Sequence, residues 1–472
     1  MLPIGELALL LATSSIAVSA STFKPCPVLG LVFAAPTSLC EADTFQAALK
    51  NLTATLGYAS RSGGLTPYGI IPTDATSFSI GVFDTASTLF SYQYSSPVLQ
   101  NGTAGVKNVK EDSIYRIGSG SKLITLAEAA RKLPRCSASD AALFDLLATL
   151  PAGSPLSAYG LPQLPASDYP ICGYHLTSAC SEDAYLAGYA SEHPLYAPYT
   201  TPVYSNGAFA LLSLALENIT GRSFPEMLQT DLFDKLGMTH SSYSTPNDTS
   251  DAVMPLGPID SGFVADLGLE NPYVLSHPNP HPRLPLSDHY QKPATPTVLI
   301  PDFNVGFAVL AAGNQTTSTV EQLSDMVVAA VVPALENTAR EQSQQAFRGT
   351  YKASDGLASN ITLTTRPGEP GLIISSWNSS STDFLAVTAA GIYQTAAVDL
   401  LLYPTQLVQR VGSSNSSTSV QQQEQRVQYR TLVQQLGDTR PDGGDFLFEV
   451  DGAGKVISVS PRVVRTTLEK MG

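Results

Sequence analysis

Apolar residues recur at helical spacing over residues 45–57, and again over Ser119–Lys132, where Leu123, Ala127 and Ala130 carry the pattern. Ala208–Leu216 is apolar enough for a buried helix. Elsewhere the period drops to two. Ser77–Phe83 and Thr88–Tyr94 alternate on either side of Asp84-Thr85-Ala86, which predicts a hairpin. Ser223-Phe224-Pro225-Glu226 joins an S-x-x-E capping box to a proline in the first turn, so a helix opens there and runs to Leu236. Thr297–Ala312 reads as two strands about a Pro301-Asp302 turn, and Val320–Arg340 as a long helix kinked near Pro333.

From Phe347 onward the pattern changes to short Thr-, Ser- and Val-rich runs between glycine turns. Strands are expected at Ile361–Thr364, Leu372–Ser376, Leu385–Val387, Leu400–Tyr403, Phe446–Val450 and Val456–Val459. That composition predicts an all-β domain over 345–472, following a domain of mixed helix and sheet over 21–340. Residues 133–205 are broken by Pro and Gly, and 269–296 hold five prolines from Pro272 to Pro285. Ser413–Gln425 is a polar, low-complexity insert expected to form a mobile loop.

Residues 1–20 read as a signal peptide. The run Leu7-Ala8-Leu9-Leu10-Leu11 is its apolar centre and Val18-Ser19-Ala20 its cleavage site, although Glu6 stands where Lys or Arg is usual. The same run would also suit a buried first helix. Later runs fall short of the ~18 apolar residues of a membrane span. Eight of 14 asparagines lie in N-x-Ser/Thr: Asn51, Asn101, Asn218, Asn247, Asn314, Asn360, Asn378 and Asn415. Chance would give about three. A glycosylated protein of the eukaryotic secretory pathway is therefore expected. In that oxidising compartment Cys26 would pair with Cys40 and Cys172 with Cys180, leaving Cys136 over.

Composition adds two exclusions. With 26 Lys and Arg against 40 Asp and Glu, the net charge of -14 offers no basic face for nucleic acid or an anionic membrane. Charged residues are only 14% of the chain, so hydroxyls, amides and sugars must carry solubility. No metal or cofactor is expected. His277 and His281 have ligand-like spacing, but the alternating prolines between them forbid the helix that would aim both rings at one ion. Gly452-Ala453-Gly454-Lys455 is too short for a phosphate-binding loop, and no G-x-S-x-G elbow is present.

Chemistry concentrates in Tyr115-Arg116-Ile117-Gly118-Ser119-Gly120-Ser121-Lys122. A serine hydroxyl needs a nearby base to become a nucleophile, and S-x-x-K at a helix start sets Ser119 and Lys122 one turn apart on one face. Burial disfavours a lysine's charged form and so makes it a usable base. Alone, the motif also describes a capped helix with a solvated lysine. Tyr204-Ser205-Asn206 gives it company just ahead of an apolar helix. Tyr204 could relay the proton, and the Asn206 amide could hold Lys122 and a substrate carbonyl. Separately, they also describe a packed aromatic and a helix cap.

With these motifs the chain resembles the serine β-lactamase-related family, the branch of class C β-lactamases, D-peptidases, esterases and transesterases, and within it secreted fungal β-lactamase-like proteins. Further matching stretches are Cys26–Gly30, Thr200–Asn206, Leu236–Thr239, Asp266–Gly268, Val298–Asp302 and Leu401–Thr405. The resemblance implies an α/β (α+β) fold, a β-lactamase/transpeptidase-like antiparallel sheet flanked by helices, with the C-terminal β domain appended. It implies Ser119 as nucleophile, rather than Ser121 or Ser205, with Lys122 as base and Tyr204 as its assistant. The activity implied is that of a serine hydrolase or acyltransferase on a small-molecule or peptide-like ester or amide, with fungal secondary metabolism as one setting. Two departures point to a catalytically impaired binding module instead. The family's third motif, Lys or His, a small residue, then Gly, here reads Lys292-Pro293-Ala294, with Lys292 as the substrate-binding cation. Proline removes a ladder donor from a strand that should border the oxyanion hole. The segment between Gly268 and this motif, and the stretch after Lys132, are also shortened.

Overall fold

The structure, a computed structural model, describes residues 30–132 except 103, then 183, 186, 187 and 190, then 206–257 except 245 and 247. It further describes 297–410 except 355 and 357, 425–431, and 444–472 except 453. The chain divides into two compact units, Gln46–Val331 and a second made of residues up to Phe45 together with Val332–Gly472.

The first unit is built on α1 (Asp43–Arg61) and a four-stranded antiparallel sheet of β1 (Thr76–Asp84), β2 (Thr88–Tyr94), β3 (Thr297–Ile300) and β4 (Val305–Gly313), in the order β2-β1-β4-β3. The buried positions of α1, Leu49, Leu52, Leu56 and Ala59, repeat at three and four residues, which is why the segment is helical. The two middle strands, β1 and β4, are in register from Thr76 opposite Gly313 to Asp84 opposite Val305. Phe78, Ile80 and Val82 on β1 and Val305, Phe307, Val309 and Ala311 on β4 are all buried at alternate positions. The expected β1–β2 hairpin is present, closed at Asp84, whose carboxylate accepts from the amides of Ala86 (2.7 Å) and Ser87 (2.6 Å).

The helices of this unit that bear on the site are α2 (Ser121–Lys132), α3 (Asn206–Thr220) and α4 (Phe224–Met227), the last continuing through the wider turn Leu228–Phe233 into Asp234–Leu236. Ser223 caps α4 by accepting from the Glu226 amide. The reciprocal half of the capping box is replaced: Glu226 turns to the Arg222 guanidinium (3.1 Å), and the Phe224 amide donates to Glu217 on α3 (2.6 Å). Ala129 of α2, Leu216 of α3, and Phe224, Met227 and Leu228 form one buried cluster. The long helix α5 (Thr316–Phe347) runs unbroken through Pro333.

The second unit is a barrel. A nine-stranded antiparallel sheet contains β5 (Gly349–Lys352), β6 (Asn360–Thr364), β7 (Leu372–Ser379), β8 (Thr382–Asp383), β9 (Leu400–Arg410), β10 (Gln425–Thr431), β11 (Asp445–Val450), β12 (Val456–Pro461) and β13 (Leu468–Lys470). Because β7 pairs with both β6 and β9, every strand but the appended β8 closes into one ring. Alternate residues face inward: Ile361 and Leu363, Leu372 and Ile374, Leu400 and Leu402, Phe446 and Phe448. Trp377, Tyr351 and Tyr429 are the largest side chains buried in this interior. Outside, Ile373, Leu401 and Tyr403 are buried too, with Val32 packed on them. That explains the run Leu400-Leu401-Leu402-Tyr403, apolar on both faces. The N-terminal segment is tied down further where Gln342 and the Thr37 backbone exchange two hydrogen bonds (2.9 and 2.7 Å).

One expectation needs correcting. Leu385–Val387 is not a strand but the middle of α6 (Phe384–Thr388). Asp383 caps it by accepting from the Ala386 amide (3.1 Å), and Phe384 lies on Trp377 with ring centroids 4.2 Å apart, which turns the chain away from the sheet. Cys40 is an exposed thiol on the 3-10 turn Leu39–Glu41, and Cys26, its expected partner, lies outside the described residues. Cys26, Cys136, Cys172 and Cys180 lie outside the described residues, as do the expected signal peptide and residues 411–424 of the polar insert.

Candidate active site

Ser119 occupies the middle of a 3-10 turn, Gly118–Gly120, that leads directly into α2. Gly118 has φ 50°, the left-handed region where glycine is favoured, and the Gly120 amide closes the turn on the Ile117 carbonyl (3.0 Å). The segment before the turn is pinned at two places. Ile114 forms a parallel bridge with Ala252, its amide donating to the Asp251 carbonyl (2.8 Å) and its carbonyl accepting from Val253 (2.9 Å). One residue later the Tyr115 hydroxyl meets the Ser79 hydroxyl on β1 at 3.0 Å. Burial pushes the Tyr115 hydroxyl well above the ordinary tyrosine range, so it stays protonated.

Lys122 is the second residue of α2 and half-buried. Its Nζ lies 5.6 Å from the ring centroid of Phe209 on α3. Two turns further along each helix, Ala129 and Leu216 share the buried cluster. The two helices therefore lie side by side and run in the same sense, so both helix starts are at one end. The start of α3 is Asn206. Thus the S-x-x-K turn and the backbone of the Y-x-N motif's last residue, far apart in sequence, share a location. Tyr204 and Lys292 lie outside the described residues. Phe209 carries no signal of its own in the sequence, since one aromatic in an apolar helix looks like any other core residue.

A shallow groove of about 520 Å³ between α1 and β2, lined by Leu49, Thr53, Leu89 and Phe90 among others, contains none of these residues. Among the described residues no group of three His, Cys, Asp or Glu could hold a metal ion, and no helix is long and apolar enough to cross a membrane. Of the sequon asparagines, Asn51, Asn101 and Asn218 are exposed, while Asn314, Asn360 and Asn378 are half-buried. Asn360 and Asn378 face each other across β6 and β7, the Asn378 amide donating to Asn360 at 3.4 Å. Asn247 and Asn415 lie outside the described residues.

Comparison with known proteins gives two family matches. The family described as Beta-lactamase matches residues 144–397, and the one described as Beta-lactamase-like-like, C-terminal domain, matches residues 339–472. The first begins beyond Lys122, so Ser119 lies outside the matched stretch. A beta-lactamase-like protein of Arthroderma benhamiae is 29% identical over 303 residues, 56% of this chain and 49% of the relative. A probable hydrolase M10 of a Phoma species is 26% identical over 111 residues, 24% of this chain and 18% of the relative. The chain thus spans at most about half the length of these relatives. Among solved structures, SurE aligns over 90% of this chain and 100% of its own at 12% identity and a TM-score of 0.34, too low for a fold to be read from it.

Proposed function

From the premise that this chain belongs to the beta-lactamase family, we propose that it is a serine hydrolase or acyltransferase that works through an acyl-enzyme at Ser119. The observation that carries this reading is the meeting of Lys122 and Phe209, which puts the Ser119 turn and the start of α3 at one end of two parallel helices. Ser119 Oγ attacks the carbonyl of a small-molecule or peptide-like ester or amide as Lys122 takes its proton. Tyr204 assists that transfer and returns the proton to the departing alcohol or amine, and Asn206 and Lys292 bind the substrate. Water or an alcohol then attacks the acyl group and releases Ser119. In the same reading the chain is cleaved after Ala20 and carries sugar at its sequons on the way out of a eukaryotic cell.

The experiment is turnover of a chromogenic ester and of a chromogenic β-lactam by the full-length secreted protein. Wild type should turn over at least one, and Ser119→Ala or Lys122→Ala should each lose several orders of magnitude without the losses adding, because the two act as a unit. A second reading, a binding module without turnover, is favoured by one observation: Pro293 and Ala294 stand where the third motif needs a small residue and Gly. Half an oxyanion hole can alone cost about 10²–10³ in rate. Binding of either substrate without turnover by wild type would make this second reading the better one.

A further inference from the structure

We propose that Phe209 is a positioning residue that holds Lys122 in place for its work on Ser119, an inference that rests on the acyl-enzyme reading and deepens it. Lysine is a compact charge on a flexible four-carbon stem, and a half-buried one at a helix start can swing outward to water. At 5.6 Å its Nζ is within the ~6 Å at which an aromatic face attracts a cation. The ring stands on the packed side of its helix. Leu212 and Leu216, three and seven residues further along α3, lie on the same face as Phe209 and pack into the cluster that holds Ala129 of α2. Asn206 stands one turn before Phe209 on that face, so the ring sits directly below the residue at the start of α3. Lys122 and Ala129 are likewise two turns apart on one face of α2. The packed face of α3 thus presents the ring to Lys122, and the ring is one contact that favours the ammonium group's place there. Phe209 acts through Lys122, and an aliphatic side chain of similar size would keep the packing while losing the attraction.

The test uses full-length wild type, Ser119→Ala, Phe209→Leu, Phe209→Met and Phe209→Tyr, with a fluorophosphonate probe and the labelling rate separated into a binding constant and a maximal rate. The maximal rate of Phe209→Leu and Phe209→Met should fall about three- to tenfold, the size expected of one cation–ring contact. Their probe-binding constant should stay within about twofold of wild type, and Phe209→Tyr, which keeps the ring face, should label like wild type. Circular dichroism confirms that each variant is folded, and Phe209→Met replaces Phe209→Leu should the latter not fold. A maximal rate unchanged in folded ring-less variants, or lost equally in Phe209→Tyr, overturns the proposal. Labelling of Ser119→Ala at the wild-type rate, or of no protein at all, overturns the acyl-enzyme reading and this proposal with it, and is told apart by the wild-type and Ser119→Ala lanes alone.

Discussion

Tyr115 and Asp84 show what single side chains hold in place in the first unit. The Tyr115–Ser79 bond ties the segment ahead of the nucleophile turn to β1. Tyr115→Phe should cost about 1 kcal/mol of stability, the net worth of one such bond, read by urea unfolding. Asp84 closes the hairpin at the far end of the same strand, and the Ala86 and Ser87 amides hold its carboxyl below the ordinary aspartate range. Its folded-state pKa is therefore depressed relative to the unfolded chain. The hairpin contribution is present in full above the unfolded value and is lost as pH falls through the folded one. In Asp84→Asn that acid-side loss should be absent, and amide exchange at Ala86 and Ser87 between neutral pH and about pH 3 measures it. Neither partnership was legible in the sequence. In the sequence Tyr115 is only part of the motif and Ser79 one position of an alternating strand, because a contact between residues so far apart leaves no local signature.

Secondary structure was legible where one periodicity dominates. The spacing of Phe45 to Ala59, the alternation of β1 and β2, and the Ser223 cap each appear where the pattern put them. Failures came where tertiary contacts outweigh local preference. Leu385–Val387 is β-like in composition, yet the Asp383 cap and the Trp377–Phe384 stack make it helical. β10 has no strand signature because Gln425-Arg426 continues the glutamine-rich insert, although Tyr429 and Thr431 on the same strand are buried in alternation. β5 and β13 are four and three residues long, too short for any period to declare itself. Asp383→Ala should cost about 1 kcal/mol by removing that cap. Unfolding of the barrel, followed by fluorescence, measures it.

For the molecule as a whole, closure of the barrel was the least legible feature, since it depends on β7 pairing on both sides and on β13 finding β5 from the other end of the unit. Trp377, the one tryptophan in the chain, lies inside that barrel, so its fluorescence reports this unit alone. If the two units unfold separately, Asp383→Ala will lower the urea midpoint seen by Trp377 while Ser223→Ala leaves it unchanged. Equal shifts would mean a single cooperative transition. What the site needs from the fold is narrower: two helices running in one sense with Ser119 and Asn206 at the same end, joined by the Lys122–Phe209 contact. The residue types and their order were readable in the motifs, but the shared end follows only from which buried faces pack together. The most direct measurement is fragmentation mass spectrometry of the full-length protein after reaction with a fluorophosphonate. The account predicts an adduct on Ser119, with no adduct in Ser119→Ala; an adduct on Ser121 or Ser205, or equal labelling of Ser119→Ala, would contradict it.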